Sequence, residues 1–107
     1  MMLNNMFEKQ IRLQERLGSG VLLGNQEFIT TMSIALIDEV MEALRETPWK
    51  PWKKQQEFNQ EAFKEELVDA WHFLINLSLA SGMDAEELYT RFIKKNAINH
   101  QRQSEKY

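Results

Sequence analysis

The chain contains no cysteine, which excludes a disulfide framework, a thiolate zinc site and a cysteine nucleophile. Proline occurs twice, at Pro48 and Pro51, and glycine at Gly18, Gly20, Gly24 and Gly82, so breaks in regular structure are confined to three places. No window approaches the roughly 18 consecutive apolar residues of a membrane span. The opening MMLNNMFEKQ lacks the basic start and apolar run of a signal peptide. These absences predict a cytoplasmic protein with no membrane partner. Excess positive charge is missing too: 13 Lys and Arg against 16 Asp and Glu give a net charge of -3, so no global basic field draws the chain to duplex nucleic acid.

What is present suits one globular domain spanning residues 1–107, with 43% hydrophobic and 27% charged residues. A chain of this size buries only about two thirds of the surface it exposes when unfolded, so a second subunit would supply a useful further core. Apolar residues recur at three and four rather than at two, which predicts an all-α fold: a compact four-helix chain forming a helical-bundle dimer or higher oligomer. The first helix covers residues 3 to 17, and the Gly18 to Gly24 segment breaks it. The second runs from about Asn25 to Arg45 and stops ahead of Pro48. Asn59 caps the third, which ends at Ser81 and Gly82, and Asp84 caps the fourth, with Glu87 completing a capping box. An oligomer interface is expected on the apolar faces of the second and third helices.

The acids are more specific. Asp38, Glu39, Glu42 and Glu46 occupy about a third of the second helix's circumference, and Glu39 and Glu42, three apart, are neighbours on one face. The third helix is apolar around most of its girth from Leu67 to Ala80, which predicts that it is largely enclosed. Glu66, Asp69, His72 and Asn76 form one stripe through it, and enclosed acids are costly unless paired or bound to metal. Neutralisation by Arg45 or a lysine is one solution. The other is a divalent cation held by Glu39, Glu42, Glu66 and Asp69 on two antiparallel helices. All-oxygen ligation suits Mg²⁺ or Mn²⁺, whereas di-iron bundles need a Glu-x-x-His on each of two helices, which is absent. Such a cation also lets an acidic protein bind phosphate.

On the fourth helix Lys95, Asn99 and Arg102 form a stripe suited to polyphosphate oxygens, or simply a solvated basic helix end, with Tyr107 following. The segment between the second and third helices reads WKPWKK, where Trp49 and Trp52 either cap the core or form an aromatic wall for a base.

Taken in series, Glu39-x-x-Glu42, WKPWK, Glu66-x-x-Asp69-x-x-His72 and Lys95-x-x-x-Asn99-x-x-Arg102 resemble the dimeric all-α dUTPases of the all-α NTP pyrophosphatase superfamily, relatives of MazG. The resemblance spans about Gln14 to Tyr107. It implies that Glu39, Glu42, Glu66 and Asp69 hold Mg²⁺ and that Glu39 or Glu42 orients or deprotonates a water attacking the α-phosphorus. It further implies that Lys95, Asn99, Arg102 and Tyr107 hold the phosphates. Gln14, His72 and Trp49 or Trp52 would surround base and sugar, and residues of two subunits would share a pocket in a homodimer or homotetramer. Two features depart from the family: Gly18 stands where members usually have Asn, and only 25 residues lie between Asp69 and Lys95, where larger members carry a helical insertion. The expected reaction is dUTP hydrolysis to dUMP and diphosphate. A MazG-like pyrophosphatase of other base preference and a non-catalytic helical interaction module are the alternatives.

Overall fold

The computed structural model describes residues 2–18 and 23–105; Tyr107 lies outside the described residues. Four α-helices follow one another: α1 (Met2–Arg16), α2 (Gln26–Arg45), α3 (Gln60–Ala80) and α4 (Ala85–Glu105), with no strand among the described residues. The all-α expectation holds, and the helix boundaries fall within about one residue of those read from caps and breakers. Asn25 Oδ1 accepts from the Phe28 N–H at 2.9 Å and Asn59 Oδ1 from the Ala62 N–H at 3.2 Å, each satisfying a helix-start donor that has no intrahelical partner. Asp84 Oδ1 does the same for the Glu87 N–H at 2.8 Å. The return half of the expected box is not formed. Glu87 Oε2 instead accepts from Arg91 Nε at 2.7 Å, since a guanidinium one turn on is a stronger partner for a carboxylate than a neutral amide.

α2 and α3 form an antiparallel hairpin whose register is pinned at both ends. Gly24 N–H donates to Ala80 O at one end, and Asn59 N–H to Glu46 O at the other, both at 2.9 Å. Gly82 takes φ +90°, where any side chain is strained, and a Cβ there would stand 3.3 Å from Leu23 Cδ1. The chain therefore reverses after α3 through glycine. α1 lies across α3 and meets the start of α4 through a core of Phe7, Ile75 and Ala85, with Leu3, Leu79 and Leu88 packed around it.

Two expectations are corrected. The single chain is not compact: its radius of gyration is 17.2 Å, against the ~13 Å of a compact domain this long. α4 packs only by its first turns, and the rest extends away from the hairpin, with Tyr89, Phe92 and Ile93 exposed. Nor is α3 enclosed, because α1 covers one flank only and Val68, Trp71 and Leu74 remain exposed. On α2, Ile34, Ile37, Val40 and Met41 are exposed as well. No helix among the described residues is long and apolar enough to cross a membrane.

Candidate active site

The hairpin register carries Glu42 of α2 to the level of Glu66 of α3, and the helical spacing of three adds Glu39. One carboxylate oxygen from each of Glu39, Glu42 and Glu66 lies within 4.8 Å of the others. Like charges this close resist simultaneous ionisation. Burial pushes Glu39 up to about 7, helped by the adjoining Glu66 carboxyl and the charges of Glu42, Glu66 and Asp69. Glu42 is also raised, chiefly by hydrogen-bonding contact with Glu66, then by burial and by the charges of Glu66 and Asp38.

Neutralisation by a basic side chain is not seen among the described residues. Among the described residues the salt bridges are Lys64 with Glu61 and Arg91 with Glu87, and neither involves the cluster. Glu39 Oε2 is buried without a hydrogen-bond partner. An orphaned carboxylate oxygen beside two further carboxylates is a donor set that fits a hard divalent cation. Asp69 stands outside the tight group of three, though its charge reaches Glu39 and both line one cavity.

That cavity, about 440 Å³, brings α1 into the site: Gln10 and Gln14 line it with Glu39, Asp69, His72, Phe73 and Asn76. Gln14 and His72 are thus brought together with two of the acids. His72 is exposed, and its Nδ1 lies 2.9 Å from Val68 O. Because a carbonyl only accepts, the Nδ1 carries the proton, and a neutral ring keeps Nε2 as its acceptor.

The tryptophans lie elsewhere within the single chain. Trp49 and Trp52 pack edge to face at 5.8 Å between centroids, with Lys50 Nζ 5.7 Å from the Trp49 ring centre. Trp49 lines a separate depression with Arg45, Lys50, Lys53 and Gln56. Gln56 braces this loop, accepting from the Lys50 N–H and donating to Lys50 O and Lys53 O. Lys95, Asn99 and Arg102 are exposed on the extended part of α4 and do not line the acidic cavity.

Gln10 was not among the residues singled out from the sequence, and Asn76 was noted without a role. A signal existed for both, since Gln10 precedes Gln14 by one helical turn and Asn76 follows His72 by one.

In alignments 71 positions long that cover 55% of this chain, the sequence is 39% identical to the dCTP pyrophosphatase of Enterobacteria phage LZ5 and 35% identical to that of Enterobacteria phage T4. The matches cover 41% and 42% of those proteins, so the chain spans about two fifths of their length. No solved structure matches. A family model described as dUTPase matches residues 2–83, the stretch that supplies α1, the α2–α3 hairpin and all four acids, and by that match the chain belongs to the dUTPase family.

Proposed function

We propose that the chain is a divalent-cation-dependent nucleoside triphosphate pyrophosphatase that converts dUTP and water to dUMP and diphosphate. The observation that carries this reading is the unneutralised carboxylate group of Glu39, Glu42 and Glu66, of which Glu39, together with Asp69, lines a cavity that also holds Gln14 and His72. Glu39, Glu42, Glu66 and Asp69 would hold Mg²⁺ or Mn²⁺, which when bound offsets the charge of the phosphates and polarises the α-phosphoryl group. Glu39 or Glu42 takes the proton of the attacking water. The new bond forms at the α-phosphorus, and the α–β bridging oxygen leaves with diphosphate.

Gln14, His72, Trp49 and Trp52 serve base and sugar in this reading, and Lys95, Asn99, Arg102 and Tyr107 serve the phosphates. Since Lys95, Asn99 and Arg102 stand away from the acids of their own chain, they act from a second copy in a homodimer or homotetramer. The exposed apolar faces of α2, α3 and α4 support such an assembly. A second base preference is favoured by a specific observation, the two phage relatives named dCTP pyrophosphatase. Diphosphate release from dUTP, dCTP and purine triphosphates, each with Mg²⁺, Mn²⁺ or EDTA, tests the reading. Metal-dependent release from a pyrimidine deoxynucleotide is expected. Release of orthophosphate alone, or no release from any triphosphate, would overturn it.

A further inference from the structure

Gln10 of α1 and Asn76 of α3 are 4% and 1% exposed. Two buried amides at a helix crossing are dearer than two apolar side chains of similar size, which would close the same contact without desolvating polar groups. Gln10 Nε2 donates to Asn76 Oδ1 at 2.8 Å. That bond engages the Asn76 oxygen and turns its Nδ2 toward the sulfur of Met32, 3.4 Å away and a weak acceptor. Both amides line the cavity of about 440 Å³ that contains Glu39, Asp69, His72 and Phe73. One cavity thus combines carboxylates suited to cation-bound phosphates, an aromatic ring, and a buried amide donor of fixed orientation.

We infer that Asn76, oriented by Gln10, selects the base: its Nδ2–H meets the exocyclic carbonyl of a uracil-type edge and disfavours the amino group of a cytosine-type edge. The inference rests on the pyrophosphatase reading above. Met32 itself lines a neighbouring depression that shares Gln14 and Phe73 with the cavity, and a carbonyl oxygen reaching Nδ2 gives the buried donor a better acceptor than its sulfur. An amino group in the same place sets N–H against N–H and leaves both unsatisfied. Asn76 can offer its oxygen instead only by turning over, which breaks the bond to Gln10 unless Gln10 turns too. Gln10 is accordingly a positioning residue, and Asn76 is the residue that touches the base.

The test reads selectivity in two ways: as the ratio of kcat/KM for dUTP over dCTP, and, without catalysis, as the ratio of Kd for dCMP over dUMP by calorimetry. The wild-type chain is expected to favour uracil about tenfold or more in both, the worth of one satisfied against one unsatisfied buried hydrogen bond. Gln10→Leu alone is expected to reduce the preference by freeing the Asn76 amide. The double variant Gln10→Leu/Asn76→Leu keeps an apolar crossing and is expected to bring both ratios within about threefold of unity, with the Mg²⁺-dependent rise in Tm retained as a check on the fold. A merely structural pair would lower activity on both nucleotides alike and leave the ratios unmoved. An unchanged ratio in the folded double variant, or a wild-type preference for cytosine, overturns the inference while the pyrophosphatase reading stands. A wild-type chain that releases no diphosphate and binds neither monophosphate removes both.

Discussion

At the scale of single residues, the site is governed by a carboxylate that resists ionisation. Glu39 is pushed to about 7 from an ordinary value of 4.5, so between those values the metal-free folded chain holds a proton that the unfolded chain has released. The stability this proton contributes is fully present below about pH 4.5 and is lost as pH rises through about 7. Thermal melts of the metal-free protein between pH 4 and pH 8 should therefore show Glu39→Gln gaining on the wild type as pH rises. Allowing for solvent screening the gain at pH 8 is on the order of 1 kcal/mol, or about 4–8 °C in Tm. Turnover of Glu39→Gln and Asp69→Asn should be abolished with the fold retained, and both losses should exceed that of Asp38→Asn. Near-normal activity in the first two would make the cluster structural. Mg²⁺ binding should release protons at pH 6 and few at pH 8, because the cation and the proton compete for the same oxygens.

Among the elements, the hairpin of α2 and α3 builds the site, and the caps decide where its helices begin and end. Asp84→Ala should cost about 1 kcal/mol, since the Glu87 N–H loses its acceptor at the start of α4. Glu87→Ala should cost less, within about 0.5 kcal/mol, because its pairing with Arg91 is exposed and contributes nothing to the cap. Denaturant titration separates the two, and equal losses would mean that Glu87 closes the box in solution. On α4 the helical spacing of Lys95, Asn99 and Arg102 is realised, but on a stretch that projects away from the acids. Arg102→Ala should lower kcat/KM for the triphosphate about ten- to a hundredfold, with Arg102→Lys restoring part of the loss and Mg²⁺ affinity unchanged. Steady-state kinetics that show no loss would return this stripe to a solvated helix end.

For the molecule as a whole, the faces of α2, α3 and α4 leave large apolar side chains uncovered in the single chain: Ile37 is 64% and Phe92 63% exposed. Sedimentation at micromolar concentration should give a dimer or tetramer. If acids of one copy work with Arg102 of another, mixing inactive Glu39→Gln with Arg102→Ala should restore about a quarter of wild-type activity, from hybrids that hold one intact site. A mixture as weak as its parents would place the whole site within one chain.

Much of this was readable without coordinates, because it depends on local chemistry. Helix ends follow from Asn25, Asn59, Asp84 and Gly82, whose side chains or freedom at positive φ act on backbone groups a few residues away. The spacing of Glu39 with Glu42, and of Glu66 with Asp69, likewise places each pair on one helical face. Other features required the tertiary structure. The hairpin register sets Glu66 beside Glu39 and Glu42 while leaving Asp69 just outside, a matter of how two helices slide against each other. The crossing of α1 buries Gln10 on Asn76, a bond across 66 positions that no local pattern specifies. The separation of Trp49 and of Arg102 from the acidic cavity was also decided there, because apolar faces state that a helix must be covered but not which surface covers it.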